Sequence, residues 1–588
     1  MCGIIGIINL TEKDSVKNTF NGLKLLEYRG YDSFGLAWVD KKIKVKKDKG
    51  MISNEKVPKE VSPVSIGHIR WATHGKPSKI NAHPHLSCDE KIALVHNGII
   101  ENYQELKKEL KGHKIISQTD SEIIVHLLEQ ELKKEKKLEK AFFNVLKKLK
   151  GSFALVVLYD NKIIAARKES PLVLGFNSKE NMVASDLNAF DDRANKFHSM
   201  EDNQMAVIAK DGVKLFEFMK KKKLKLKLEI VKGTKEEIVL HGFKHYMLKE
   251  IMEEPSVIRR ILNEHVVNGE IKFKLKKFNK IYLIGCGTSY HACLLGEKYL
   301  EKIACINSKA VLAPEFLYGN PLLDKNTLVI ALSQSGETAD TLKAIRKAKK
   351  EKAKVLSIIN VEKSSIQRES NHSINMNAGI EVSVASTKAF IAQITLLLLL
   401  SMYFGTDKKL VKKMLIGLRE IPGKMEKMLA KNNMKKAVEW LAKANNSLYL
   451  GRTINYPIAL EGALKLKEIS YVHAEGYASA EMKHGPIALI DKKFLTVIIA
   501  VNDGMLEKNL GNIFEIKARN GRVIAVSTKG NEIVKKVADV VLEVPETIEL
   551  LYPFLSTSIL QLLAYNVAVK MKKNVDKPRN LAKSVTVE

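Results

Sequence analysis

Lys280-Ile281-Tyr282-Leu283-Ile284-Gly285-Cys286-Gly287-Thr288-Ser289 reads as a buried strand that runs into a loop of small and hydroxyl-bearing residues. The strand returns as Ser447-Leu448-Tyr449-Leu450-Gly451, and Thr327-Leu328-Val329-Ile330-Ala331 returns as Leu495-Thr496-Val497-Ile498-Ile499-Ala500, each pair about 168 residues apart. Apolar runs of strand length at 280–284, 328–332, 354–359, 447–450, 495–500 and 522–526 alternate with segments of helical period. Short continuous apolar runs separated by helices belong to parallel sheets covered by those helices. The second half of the chain is therefore expected to hold two similar α/β lobes that meet near residue 430.

The first 235 residues follow another pattern. Short runs rich in Ile and Val at 4–8, 64–69, 92–95, 153–159, 162–166 and 205–209 occur with a few helices such as 121–134, which predicts a layered α+β sandwich. Residues 220–229 alternate Lys with Leu and suit an edge strand protected by charge. From 233 to about 277 the chain turns helical and charged, with Pro255 as punctuation, and reads as a linker helix between unlike architectures. The expected divisions are 1–235, a linker at 236–277, lobes at 278–430 and 431–575, and a tail at 576–588.

Five cysteines (Cys2, Cys88, Cys286, Cys293, Cys305), odd in number and without a C-x-x-C pair, argue against a disulfide framework or a zinc site and fit a reducing cytoplasm. Asn9, Glu12, Lys13 and Asp14 argue against a secretory leader, and the longest apolar run, 394–404, falls short of the roughly 20 residues that cross a bilayer. A soluble protein with no membrane partner is expected. The formal charge of +31 raises the question of nucleic acid, but the lysines are spread from end to end, aromatic residues make up only 6%, and no DNA- or RNA-binding signature is present. No nucleic acid partner is expected, whereas a positive field also draws in small anionic substrates.

The N-terminal region carries parts for hydrolysing a carboxamide. If Met1 of Met1-Cys2-Gly3-Ile4-Ile5-Gly6 is trimmed, the Cys2 thiol stands beside a free α-amine that can take its proton. Asn97 and Gly98, just after an expected strand, can offer a side-chain amide and a backbone N–H to an oxyanion. Arg70 can pair with an α-carboxylate and Asp120 with an α-ammonium, charges that describe glutamine. In the second half, Ser333-Gln334-Ser335-Gly336-Glu337-Thr338 follows a strand and opens a helix, an arrangement suited to phosphate and lacking the glycine patterns of nucleotide loops. With 285–289 it puts two ligand loops at the C-terminal ends of parallel strands. The second lobe lacks the Ser/Thr set at its matching loops, so one phosphosugar site per chain is expected. Residues 461–486, with Lys465, Glu468, His473, Glu475, Glu481 and His484, can supply a carboxylate to move a proton between sugar carbons and an acid to open the ring. Lys583 in the tail can form a Schiff base.

The start of the chain, with residues 27–33 (EYRGYDS), 70–75 (RWATHG), 96–102 (HNGIIEN) and 119–122 (TDSE), resembles the N-terminal-nucleophile glutaminase domain of glutamine amidotransferases. Together with residues 333–338 (SQSGET), 384–390 (VASTKAF), 461–486 and 576–588, nearly the whole chain resembles the glutamine:fructose-6-phosphate aminotransferase (isomerising) family, whose two lobes are sugar-isomerase (SIS) domains. The resemblance implies Cys2 as nucleophile, Asn97 and Gly98 as oxyanion hole, and Arg70, Trp71, His74 and Asp120 around glutamine, with Trp71 gating an ammonia channel. It implies Ser333, Gln334, Ser335 and Thr338 on the phosphate of fructose 6-phosphate, and Ser289, Val384 and Lys465 on the sugar. It further implies Glu468 as base, His484 as a ring-opening acid reached from a neighbouring subunit, and Lys583 as the imine-forming lysine. It also implies a homodimer at least, no metal or organic cofactor, and a place in amino-sugar synthesis. The rivals are a glutaminase joined to another amination, disfavoured because no acidic pyrophosphate-binding run follows a strand, and an SIS protein that senses sugar phosphate without turnover, disfavoured by Glu468, His484 and Lys583.

Overall fold

The computed structural model describes residues 2–11, 14–230, 240, 242–431 and 433–586, so Met1, part of the expected linker and the last two residues of the tail lie outside the described residues. It divides into two compact units, Met1–Lys235 with Ser584–Glu588, and Glu236–Lys583.

In the first unit, strand Gly3–Asn9 shows how the layers arise. Side chains alternate along a strand, so Ile4 and Ile8 face one way and Ile5 and Ile7 the other. Ile4 and Ile8 join Val64 and Ile66 of their own sheet and Ala93, Val95, Ala154, Val156 and Leu158 of a second sheet in one core. Ile5 and Ile7 pack with Val16, Phe20 and Leu23 of helix Ser15–Leu25. Strand Gly151–Tyr159 does the same for the second sheet, turning Phe153, Leu155 and Val157 outward onto helices Ser121–Lys134 and Leu138–Lys148. The result is the expected α+β sandwich, two antiparallel sheets of eight and seven strands among the described residues, with helices on both outer faces. Residues 220–229 do not form one edge strand. Lys222–Leu224 ends the seven-stranded sheet and Glu229–Ile230 ends the eight-stranded one, so the Lys/Leu alternation is divided between two ladders.

The same alternation gathers polar groups at one end of the layer between the sheets. Cys2 stands two residues before Ile4, His68 two after Ile66, and Asn97 two after Val95, with Ile4 paired to His68 across the ladder. His68 stacks on His83 at 4.2 Å between ring centroids, and His83 meets His85 edge-on at 4.6 Å. These three rings and His96 are buried. Burial above all holds the four imidazoles below the ordinary histidine range, His68 at about 3.

The second unit contains two parallel sheets of five strands each. The first runs in spatial order Asn307–Leu312, Lys280–Gly285, Thr327–Ser333, Lys354–Ile359, His372–Asn375, and the second His473–Ala478, Asn446–Gly451, Leu495–Ile499, Arg522–Thr528, Val540–Val544. Both orders put the first strand of the lobe second, as an internal repeat requires. Helices Lys388–Phe404 and Tyr552–Lys570 are buried almost along their whole length in the shared core. The span Glu549–Lys570 is apolar and long enough to cross a membrane, yet 94% of its most apolar window is buried inside the unit. The segment read as a linker is, from Tyr246 on, part of this core. Helix Tyr246–His265 buries Met247, Ile251, Val257, Ile258 and Ile261, and Pro255 lies inside it rather than ending it. A mid-helix proline costs about 3 kcal/mol, less than five buried aliphatic side chains return at roughly 1.5–3 kcal/mol each.

The histidine stack makes the first unit acid-sensitive. A folded-state pKa of about 3 against an ordinary 6.5 means that the unfolded chain binds the proton first, so the stability present above about pH 6.5 is lost as the pH falls toward 3. The slope contributed by His68 is up to about 1.4 kcal/mol per pH unit. Urea unfolding of the full chain followed by tryptophan fluorescence will show a midpoint that falls through this window, and less steeply in His68→Gln. Equal slopes in the two proteins would remove His68 as a cause.

Candidate active sites

In the first unit the Trp71 amide donates to Cys2 Sγ at 3.4 Å, and Asn97 Nδ2 donates to the Cys2 carbonyl at 3.1 Å. His68 Nε2 lies 3.0 Å from the His96 carbonyl and 3.1 Å from Asn97 Oδ1. Two acceptors facing one ring nitrogen require the proton there, and that proton fixes the Asn97 amide with its N–H groups toward Cys2. Gly98 follows with φ +136°, where a Cβ would sit 2.1 Å from the Ser152 carbonyl oxygen, so this position excludes every side chain. Burial pushes the Cys2 thiol up, while the Trp71 amide and Arg70 pull it down.

Arg70 is buried at the end of strand Val64–Arg70. Its Nη2 donates to the carbonyls of His74 and Gly75, and its Nη1 is buried with no hydrogen-bond partner among the described residues. Leaving such a donor unpaired is costly, and an anionic substrate group such as a carboxylate would satisfy it. Asp120 Oδ2 accepts from the Ile100 amide at 2.8 Å, on the strand that carries Asn97 and Gly98, and Oδ1 accepts from Ser121 Oγ at 3.3 Å. His74 meets Tyr103 edge-on at 5.5 Å, and its Nδ1 is likewise buried without a partner among the described residues. Cys2, Trp71 and Asn97 are thus in direct contact, Arg70 is joined to the His74 loop, and Asp120 is joined to the strand of Asn97 and Gly98.

In the second unit the loops at 285–289 and 333–338 leave the C-terminal ends of two adjacent parallel strands. Ser333 Oγ is 3.0 Å from Thr338 Oγ1 and accepts from the Gly336 amide at 3.0 Å, and Ser335 Oγ accepts from the Glu337 amide at 3.2 Å. Helix Ala339–Lys350 begins directly after Thr338, so its unpaired amides and dipole open on this loop. Gln334 is half-buried beside them.

Lys465, with no solvent exposure, lies 2.7 Å from Glu468 Oε2 and 3.4 Å from Glu461 Oε1. The three residues occupy one face of helix Tyr456–Ser470. Burial opposes the Lys465 charge, but the two carboxylates outweigh it and hold its pKa above the ordinary lysine value. Lys465 also donates to Thr288 Oγ1 at 3.0 Å, and Glu461 receives Thr288 Oγ1 at 3.1 Å and His291 Nδ1 at 2.7 Å. Ser289 Oγ accepts from Gln393 Nε2 at 2.9 Å. Val384 is buried, and its amide donates to the Asp576 carbonyl at 3.0 Å. Lys583 donates to the carboxylate of the buried Glu381 and, at 2.8 Å, to the Ser383 carbonyl. His484 is exposed at the end of the turn Ser479–His484 and has no hydrogen bond to Glu468 or Lys465.

Glu381 is not singled out by the sequence, and Thr288, His291 and His68 carry no role there, because their partners are distant in the chain. Glu461 carried a readable signal, four residues before Lys465 on one helical face. A further group, Cys88, His113, His126 and Glu129, brings four ligand-type atoms together where no compact cysteine motif marks them.

Comparison with known proteins agrees with this division. The family model described as "SIS domain" matches residues 274–403 and 440–571, and the one described as "Glutamine amidotransferase domain" matches residues 68–192. Glutamine–fructose-6-phosphate aminotransferase (isomerizing) of Chlorobaculum tepidum is 44% identical over 619 aligned residues, and that of Aquifex aeolicus 43% over 608, each covering all of both chains. The C-terminal domain of glucosamine-fructose-6-phosphate aminotransferase from Francisella tularensis is 36% identical with a TM-score of 0.54, covering 58% of this chain and all of that one. With full-length relatives at this identity, and a thiol site in one unit and a hydroxyl-lined parallel-sheet site in the other, the chain belongs to the family of isomerizing glutamine–fructose-6-phosphate aminotransferases.

Proposed function

We propose that this chain converts L-glutamine and D-fructose 6-phosphate to L-glutamate and D-glucosamine 6-phosphate. The observation that carries the proposal is the buried, unpaired Nη1 of Arg70 in the same unit as the Cys2–Asn97 pair, an anion-seeking donor next to a nucleophile with its oxyanion donor. With Met1 removed, the α-amine of Cys2 takes the thiol proton, the thiolate attacks the glutamine side-chain carbonyl, and Asn97 with Gly98 holds the oxyanion. Ammonia leaves, and water releases glutamate from the thioester. Arg70 pairs with the glutamine α-carboxylate and Asp120 with its α-ammonium, while Trp71 and His74 line the pocket.

At the second site Ser333, Gln334, Ser335 and Thr338 hold the phosphate, and Ser289, Val384 and Lys465 meet the sugar. His484, reached from the partner in a homodimer, opens the ring. Lys583 passes a proton to Glu381, condenses with the C2 carbonyl and releases water. Ammonia, carried internally because free ammonia would be protonated and diluted, then replaces the lysine on C2. Glu468 moves a proton from C1 to C2, which turns the ketose imine into an aldose amine. Amino-sugar precursor synthesis in the cytoplasm is the setting this chemistry serves.

Cys2→Ala will abolish glutamine hydrolysis and leave conversion of fructose 6-phosphate to glucose 6-phosphate, while Lys583→Ala will keep glutamine cleavage and lose amination. Glutamate, glucose 6-phosphate and glucosamine 6-phosphate are followed separately, and full synthase activity in either variant would refute the assignment. Asn97→Ala will lower kcat for glutamine hydrolysis by about 10²–10³, as the loss of one oxyanion donor does.

Ser333→Ala with Thr338→Ala will weaken fructose 6-phosphate binding by about 1.5–3 kcal/mol for each charge-assisted hydrogen bond lost, with glutamine affinity measured without sugar unchanged. Calorimetric titration of both ligands is the measurement, and unaltered sugar-phosphate affinity would place the phosphate elsewhere.

A further inference from the structure

In the first unit, Cys88 stands in the turn between strands His85–Leu86 and Ile92–Ile100, His113 follows helix Tyr103–Glu109, and His126 and Glu129 lie three residues apart on helix Ser121–Lys134. Each offers a ligand atom, and these atoms all fall within 4.8 Å of one another. Cys88 Sγ is 3.7 Å from His113 Nδ1 and 3.6 Å from His126 Nδ1. Glu129 Oε2 is 3.2 Å from His113 Nδ1 and 3.6 Å from His126 Nδ1. Two ligands of one tetrahedral zinc ion, with Zn–S about 2.3 Å and Zn–N or Zn–O about 2.0–2.1 Å, lie about 3.3–3.6 Å apart. Two of the four spacings, both 3.6 Å, fall in that range, and the other two, 3.7 and 3.2 Å, lie just outside it.

Here both Nδ1 atoms face the same sulfur and the same carboxylate oxygen, which is the pattern left by a shared centre. The surroundings suit a metal as well. Glu129 Oε2 is oriented by the Cys88 amide at 3.0 Å. Behind His126, Nε2 lies 3.6 Å from Glu122 Oε1, within ion-pair reach and short of a hydrogen bond, and Glu122 is itself fixed by the amides of Ile116 and Ser117 at 2.9 and 2.6 Å. A carboxylate behind a ligating histidine sets the ring and its tautomer. His126 and Glu129 are buried, while Cys88 is exposed and leaves a way in for the ion.

We propose that Cys88, His113, His126 and Glu129 bind one zinc ion in a closed, structural, four-coordinate site. One thiolate, two imidazoles and one carboxylate are a donor set of intermediate softness, which favours zinc over the hard cations magnesium and calcium. All four positions are filled by protein, so the ion has no place for a reacting water. Its effect is on the chain around it. It ties the turn at Cys88 and the segment after Tyr103–Glu109 to helix Ser121–Lys134, which Asp120 precedes. That segment continues to Gln118, whose amide donates to Asn81 Oδ1 at 2.9 Å, and so reaches the loop of His74 and Gly75 through the bond from Asn81 Nδ2 to the Lys76 carbonyl.

The test uses the tag-free full chain with Cys2→Ala, which removes the nucleophilic thiol as a competing ligand. Elemental analysis after extensive dialysis should find one zinc per chain, lost in Cys88→Ser and in His126→Gln and kept in Cys305→Ser. Metal-free protein titrated with cobalt(II) should develop a thiolate-to-cobalt charge-transfer band and the strong visible bands of a tetrahedral centre, both absent in Cys88→Ser. Glu122→Gln should weaken zinc binding by about 10- to 100-fold without removing the charge-transfer band. A chain that retains no zinc and shows no charge-transfer band, or a Cys88→Ser protein that holds zinc as tightly as its parent, would overturn the site and leave a hydrogen-bonded surface cluster.

Discussion

A lysine ammonium with no solvent exposure, held between two carboxylates, is the interaction on which the second unit depends. Taking Lys465 out of water is tolerable only because Glu461 and Glu468 flank it, and removing one partner of such a group costs about 3–5 kcal/mol. A well-packed apolar trio of the same volume would be as stable, so what the charges add is position. Glu461 also holds Thr288 and His291, which open the helix of the first lobe. The helix of Glu468 in one lobe is thereby locked to the loop of Ser289 in the other. A helix and a loop from two lobes keep one geometry because neither can shift without stranding a buried charge.

The first unit buries its polar groups by the opposite means. Its inter-sheet layer ends in imidazoles kept neutral by burial, and these spend their single protons on fixing other groups. His68 places its proton between the His96 carbonyl and Asn97 Oδ1, and so decides which end of the Asn97 amide meets Cys2. Arg70 is the exception, a buried cation with one nitrogen paired and one unpaired among the described residues. Beside neutral imidazoles, that unpaired Nη1 keeps an unmet demand for an acceptor.

What the sequence made legible follows from locality. Strand alternation, the repeat of the two lobes, and loops such as 333–338, whose hydroxyls and helix start lie within six consecutive residues, depend on neighbours in the chain. Cys2, Arg70 and Asn97 stand out in the sequence because each chemical type suits a carboxamide substrate. His68 does not, since nothing near it in the chain shows that it meets Asn97. The group of Cys88, His113, His126 and Glu129 leaves no mark for a related reason, because a single cysteine far from its histidines in the chain has no spacing signature. Residues 220–229 and Pro255 were misread where a local rule met a tertiary one: an alternating run was shared between two sheets, and a proline was carried by the burial around it.

That last misreading bears on the sugar site. The helix taken for a connector supplies Glu250, whose Oε1 receives the amides of Val382 and Ser383 at 2.5 and 3.1 Å, and its own first amides are capped by Asp576 at 3.0 and 2.8 Å. It therefore grips both the loop of Glu381 and Val384 and the tail of Lys583. Burial and the nearby Glu381 push the Glu250 carboxyl above the ordinary carboxylate range. The helix is thus a scaffold for that loop and tail, and the second unit begins ahead of its first strand because both are held against it.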